Sequence, residues 1–108
     1  MTNWAGNVAY RSPRVHHPET VEDVSRIVAA SEHVRALGSR HAFSDISDTS
    51  GDLVSLERID PQVTVAPDRR TVEVTAGTRY AELAEALHAH GLALHNLASL
   101  PHLAVGGA

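Results

Sequence analysis

The chain has 108 residues, a formal charge of −4 and 43% hydrophobic residues, a composition typical of a globular domain. It has no cysteine, which excludes disulfides, cysteine-type zinc sites and thiol catalysis. The basic residues form no stripe and no apolar run nears the roughly 18 residues of a membrane span, so neither nucleic acid nor a membrane is an expected partner.

The first half of the chain predicts an arm, a helix and a buried strand. Residues 1–19 read as an extended arm without the regions of a signal peptide, so we expect a cytoplasmic protein. Thr20 is a good N-cap for a helix over residues 21–32 with one buried apolar stripe. "HVRAL" follows as a buried strand that ends at Gly38, and residues 42–52 are rich in Ser, Asp and Thr, which predicts a loop.

The second half predicts strands around one further helix. "LVSL" is a short strand, and "VTVAPDRRTVEV" alternates on both sides of a turn, which indicates a hairpin. Thr78 is the expected cap of a helix with a buried face and Gly91 at its end, and the face is formed by Tyr80, Leu83, Ala84 and Leu87. Short strands and turns complete an α+β pattern. The final small-residue run, "AVGGA", is expected to lead into further chain, so the sequence reads as a piece of a longer protein.

Most motifs that carry chemistry are absent. Neither a P-loop nor GxGxxG after a strand is found, and there is no GxSxG nucleophile elbow. Eight histidines are present, but HExxH is not, and His88 and His90 lie two apart on a predicted helix and so face different sides. A metal site and a serine hydrolase are therefore disfavoured.

The segment "LGSRHAF" is the exception, because it places reactive groups in a loop at the end of a strand. Gly38 permits close backbone approach or a positive φ, and Ser39 and the loop amides are donors of the kind that hold phosphate oxygens. Arg40 adds a cation, His41 a nucleophilic ring nitrogen and Phe43 a flat apolar wall. Spacing alone leaves open a plain β-turn with His41 exposed or hydrogen-bonded to nearby backbone.

Four segments together resemble one enzyme group. "NWAGN", "VRALGSRHAFSDIS", "RYAELAEALHAHGLAL" and "LHNLASLPHLAVGGA" occur in the order in which similar segments occur in alditol oxidases, flavoproteins of the vanillyl-alcohol oxidase family. The resemblance covers nearly the whole chain. It implies that residues 1–108 are the N-terminal part of a PCMH-type FAD-binding domain, an α+β fold with a small mixed sheet and two helices, and that a substrate-binding domain lies elsewhere in the full protein.

The resemblance also implies a cofactor site. His41 matches the histidine that is bonded covalently to the C8 methyl group of FAD in this family. Ser99 would lie beside the flavin within reach of substrate, and no catalytic residue is assigned. The other cofactor-lining positions are Leu37, Gly38, Ser39, Arg40, Ala42, Phe43, Ala104 and Gly107. Two positions depart from the family pattern: Ala42 stands where serine is usual, and Arg40 replaces the glycine of some members.

The implied activity is the oxidation of a polyol such as xylitol or sorbitol by dioxygen, giving an aldose and hydrogen peroxide. We expect negligible activity from these 108 residues alone. Two alternatives remain open. One is a sugar-lactone oxidase, which shares the histidyl-flavin motif, and the other is a noncatalytic flavin-binding remnant.

Overall fold

The computed structural model describes residues 1–95 and 100–107, and the chain forms two compact units, Met1–Ile59 and Asp60–Ala108. The first unit contains the elements β1 (Arg14–His16), α1 (Val21–Ala30), β2 (Val34–Leu37) and β3 (Asp52–Ser55). The second contains β4 (Val63–Val65), β5 (Val72–Val74) and α2 (Tyr80–Ala89). The predicted α+β class with two helices is confirmed, and its parallel and antiparallel pairs lie in separate sheets.

The sheet of the first unit is parallel and has the order β1-β3-β2. The central strand β3 is buried along its whole length, and Leu53 and Val54 form the core together with Leu37 of β2. Because the three strands run in the same direction, their carboxyl ends share one edge. The loop that follows Leu37 therefore leaves the sheet at the edge where parallel sheets generally bind ligands.

Part of the predicted extended arm is a strand. Residues 14–16 pair with residues 52–54, from Arg14 opposite Asp52 to His16 opposite Val54. A strand of three residues is too short for its alternation to be recognised in the sequence. The predicted cap at Thr20 is confirmed, since its hydroxyl accepts from the backbone N–H of Asp23 at 3.1 Å.

Two predictions of burial in this unit are wrong. Helix α1 ends two residues early and buries none of its residues; Val21 is 66% exposed and Val28 49% exposed. Strand β2 buries Leu37 alone. The cause in β2 is its position at the edge of the sheet, and a three-stranded sheet offers too little surface to cover the whole apolar stripe of α1.

The second unit follows the predicted hairpin and helix. β4 and β5 pair in antiparallel fashion with Val63 opposite Val74, and α2 buries Leu83 and Leu87. At the end of α2, Gly91 adopts φ 71, and its N–H donates to the carbonyl of His88. This is the left-handed terminus that the glycine predicted.

The cap of α2 differs from the prediction. Arg79 is the N-cap, its N–H donates to the Glu82 carboxylate at 3.3 Å, and its carbonyl accepts the first helical bond. Thr78 instead lies before the helix, 1% exposed, with its backbone bonded to Thr75 and Val105. Both backbone groups of Thr78 are thus bonded outside the helix, its N–H to Thr75 and its carbonyl to Val105.

Two loop predictions need revision. The loop over residues 42–52 contains a 3₁₀ turn at Asp45–Ser47, and a second such turn occupies Val105–Gly107. In place of the short strands predicted near the C-terminus, residues 100–107 form an isolated bridge between Arg79 and Ala104.

Candidate functional site

The predicted site begins where β2 leaves the core of the first unit. Leu37 is buried, whereas Gly38 is exposed, and a Cβ built on Gly38 would meet no atom within 4 Å. The positive φ that we considered for Gly38 belongs instead to Arg40, at 65°. Arg40 therefore holds the left-handed conformation that glycine adopts most easily, which gives a physical reason for glycine at this position in some members.

The loop from Gly38 to Phe43, here called the histidine loop, rests against a tight turn near the N-terminus. Gly6 adopts φ 75 in this turn, and its N–H donates to the carbonyl of Asn3 at 3.1 Å. Asn3 is 3% exposed, and its side-chain amide donates to Asn7 while its side-chain oxygen accepts from the N–H of Val8. The "NWAGN" segment is thus folded back on itself around one buried asparagine.

Three groups of this turn bind three carbonyls of the histidine loop. The N–H of Trp4 donates to the carbonyl of Arg40 at 2.7 Å. The Asn3 amide donates to the carbonyl of Ala42 at 2.7 Å, and the Asn7 amide to that of Phe43 at 2.9 Å. We call this arrangement the asparagine clasp. It fixes the backbone on both sides of His41.

The backbone N–H groups of the histidine loop are potential hydrogen-bond donors to a ligand. Within residues 1–95 and 100–107, no group accepts from the backbone N–H groups of Ser39, Arg40, Ala42 or Phe43. Successive N–H groups whose carbonyls are held elsewhere form a site suited to the oxygens of a phosphate. The donor set therefore fits the pyrophosphate of a dinucleotide.

His41 lies in the chain between Arg40 and Ala42, whose carbonyls the clasp holds. Its half-buried imidazole stacks on the indole of Trp4, with ring centroids 5.2 Å apart and ring planes inclined by 28°. Phe43, two residues on, is 71% exposed. The N-terminal turn and the histidine loop thus carry three aromatic rings, which suits a flat heteroaromatic ligand.

An ion pair holds the chain that follows the histidine loop. The buried Asp48 carboxylate accepts from the backbone N–H of Arg11 and, at 3.0 Å, from its guanidinium. Burial tends to raise the pKa of Asp48, but the hydrogen bonds from Arg11, Thr49 and Ser12 together outweigh it and lower that pKa overall. The N-terminal segment thus binds the chain between β2 and β3 at two places, through the asparagine clasp at the histidine loop and through Arg11 at Asp48.

The remaining predicted residues belong to the second unit. The N–H of Gly107 donates to the carbonyl of Ala104 at 3.1 Å, and a Cβ on Gly107 would meet nothing within 4 Å. Gly106 is the crowded position, since a Cβ there would lie 2.9 Å from that of Ala76. Ser99 lies outside the described residues. The flavin contacts assigned to these positions stay predictions.

No residue pattern considered above predicted the asparagine clasp. Asn3, Trp4 and Asn7 entered the sequence analysis only as part of a resembling segment. A signal was present, because two asparagines four apart flank the chain's single tryptophan and a glycine, which is turn chemistry. In the part of the chain that the structure describes, no three metal-binding side chains cluster and no helix has the length and apolarity to cross a bilayer.

Comparison with known proteins agrees with this geometry. A family profile described as "FAD binding domain" matches residues 13–108. The chain belongs to this FAD-binding domain family. The cofactor predicted from the resemblance is therefore confirmed as FAD.

Two curated relatives show which oxidases this FAD-binding domain is similar to. It is 46% identical to an alditol oxidase of Streptomyces sp. over 99% of this chain and 26% of that protein, which confirms the resemblance. It is 30% identical to the L-gulonolactone oxidase of Bos taurus over 97% of this chain and 25% of that protein. The FAD-binding domain chain thus spans about a quarter of the length of these relatives.

A solved structure supports the fold. The cholesterol oxidase of B. sterolicum superposes with a TM-score of 0.75 over 98% of this chain and 22% of that protein, at 21% sequence identity. At this identity the likeness concerns the fold of the FAD-binding domain alone.

Proposed function

We propose that the full-length protein is an FAD-dependent oxidase that converts a polyol such as xylitol or sorbitol to an aldose, with dioxygen as the electron acceptor. The observation that carries the proposal is the placement of His41. Its imidazole stands in a loop at the carboxyl edge of a parallel sheet, and the asparagine clasp holds the backbone on both sides of it. In the resembling family this histidine carries the flavin.

Different residues of the first unit would contact different parts of FAD. Leu37 anchors the histidine loop in the core, and the N–H groups of Ser39 and Ala42 would donate to the pyrophosphate. His41 would bond to the ring methyl group of the flavin, and Phe43 would cover apolar ring surface. When bound, FAD supplies the redox chemistry by accepting a hydride from the alcohol carbon and passing two electrons to dioxygen.

The relatives favour a polyol over a lactone as the substrate. The identity to the alditol oxidase is 46%, against 30% to an L-gulonolactone oxidase over a similar span. Because the chain covers only about a quarter of either protein, the groups that bind the substrate hydroxyls are expected elsewhere in the full-length protein. A sugar-lactone oxidase is the second candidate.

The substrate test uses the purified full-length protein. Peroxide formation is followed with a coupled peroxidase for xylitol, sorbitol and L-gulono-1,4-lactone at equal concentrations. We expect turnover of a polyol at least about tenfold above the lactone, a difference of about 1.4 kcal/mol in transition-state binding. A preference for the lactone would establish the second candidate, and a colourless protein without turnover would indicate a noncatalytic remnant.

A further inference from the structure

The stack between Trp4 and His41 has a feature that packing alone does not explain. Trp4 is 67% exposed, so its indole is not part of the core that stabilises the first unit. It nevertheless lies against the imidazole of His41, with the two ring centroids 5.2 Å apart. The contact links the chain's single tryptophan to the one residue whose chemistry the proposed function requires.

The backbone around both rings is already fixed. The N–H of Trp4 binds the carbonyl of Arg40, and Asn3 binds the carbonyl of Ala42, so the residues on both sides of His41 are held by Trp4 and its neighbour. The orientation of the His41 ring within this fixed backbone is set by rotation about its side-chain bonds. Rotation of an imidazole about its last side-chain bond is broad and weakly restrained unless a neighbour packs on the ring. The Trp4 indole is such a neighbour, because it stacks on the His41 ring.

We propose that Trp4 is a positioning residue for flavin attachment, which orients the imidazole plane of His41 so that a ring nitrogen meets the flavin methyl group. This rests on the proposed function. In the attachment, a bond forms between that nitrogen and the methyl carbon, while the imidazole N–H and one methyl C–H bond break. Two protons leave, the flavin ring takes up two electrons, and dioxygen reoxidises it to give hydrogen peroxide. Misorientation of a reacting group slows such a step without weakening cofactor binding.

The test separates attachment from binding in the full-length protein. Apoprotein is mixed with FAD, samples are quenched in acid at intervals, and flavin fluorescence in the denatured protein band gives the covalent fraction. Absorbance of the undenatured protein gives total FAD bound. The variants are Trp4→Leu, which keeps the backbone N–H to Arg40 but removes the aromatic ring, and Trp4→Phe, which restores one. Ile46→Ala, at a site that is also 67% exposed, controls for loss of exposed apolar surface.

We expect Trp4→Leu to attach FAD about three- to tenfold more slowly at unchanged FAD occupancy, the range set by the loss of one aromatic contact. Trp4→Phe and Ile46→Ala should attach at nearly the wild-type rate. Equal rates in Trp4→Leu and wild type would overturn the positioning role and leave the proposed function standing. A rate in Trp4→Phe as slow as in Trp4→Leu, or FAD occupancy that falls with the rate, would also overturn it. Wild-type protein without covalent flavin would overturn the attachment itself, and with it this role.

Discussion

At the scale of single residues, Arg40 shows how the histidine loop is shaped. Its φ of 65° lets the chain reverse so that the carbonyls of Arg40 and Ala42 meet the asparagine clasp. A side chain in this conformation is strained, and glycine avoids the strain at the cost of a more flexible unfolded chain. The two effects are of similar size, so arginine is tolerated here although glycine would suit the geometry.

This predicts an order of stability at position 40. The free energy of unfolding of Arg40→Gly should lie within about 1 kcal/mol of the wild-type value. Relief of backbone strain stabilises the folded variant, and the greater freedom of glycine stabilises its unfolded chain by a similar amount. Arg40→Val should be less stable by about 1 to 2 kcal/mol, since a β-branched side chain is the least compatible with positive φ. Both variants lose the hydrogen bond from the guanidinium to Thr2, so each controls for the other. Urea unfolding measures the order, and a valine variant as stable as the glycine variant would refute it.

At the scale of elements, one carboxylate ties the sheet of the first unit to helix α1. Asp52, at the start of β3, accepts from the guanidinium of Arg14 at 2.7 Å, contacts the His16 ring at 2.9 Å and accepts from the hydroxyl of Ser31 at 3.2 Å. The hydrogen bond from Arg14, followed by that from His16, lowers the pKa of Asp52 to about 2. The carboxylate therefore joins β1 and the end of α1 to the central strand in its charged form.

The lowered pKa gives a pH dependence with a definite sign. In the unfolded chain the pKa of an aspartate is about 3.9. The stability that Asp52 contributes is thus fully present above about pH 4 and is lost as the pH falls toward about 2. Urea unfolding of wild type and Asp52→Asn should show a gap in unfolding free energy that narrows over this window. Asp60→Asn, at an exposed position, controls for the loss of one negative charge. A constant gap between wild type and Asp52→Asn would contradict the account.

At the scale of the whole molecule, local patterns predicted more than long-range ones. The hairpin and α2 were predicted because their signals, alternation around Pro67-Asp68 and the spacing of Leu83 and Leu87, lie within a few residues of one another. The pairing of β1 with β3 joins residues 38 positions apart, and the hydrogen bond from Asn3 to Ala42 joins residues 39 positions apart; no local pattern specifies such a contact. The position of His41 at a strand end was predicted, but the clasp that holds it was not.

The same scale explains why α1 exposes its apolar stripe. The first unit has a single sheet of three strands, and none of the residues of α1 is buried. The apolar spacing of α1 therefore predicted the helix but not the exposure of residues such as Val21.

The most direct test of the account is to map the flavin in the full-length protein. Cleavage after arginine releases the peptide 41–58, in which His41 is the single histidine. We predict that this peptide carries FAD in wild-type protein and that the yellow colour survives denaturation. In a His41→Ala variant, the mass of the modified peptide and the colour of the denatured protein should both vanish. Flavin on another peptide, or a covalent flavin that persists in the variant, would contradict the claim that His41 anchors the cofactor.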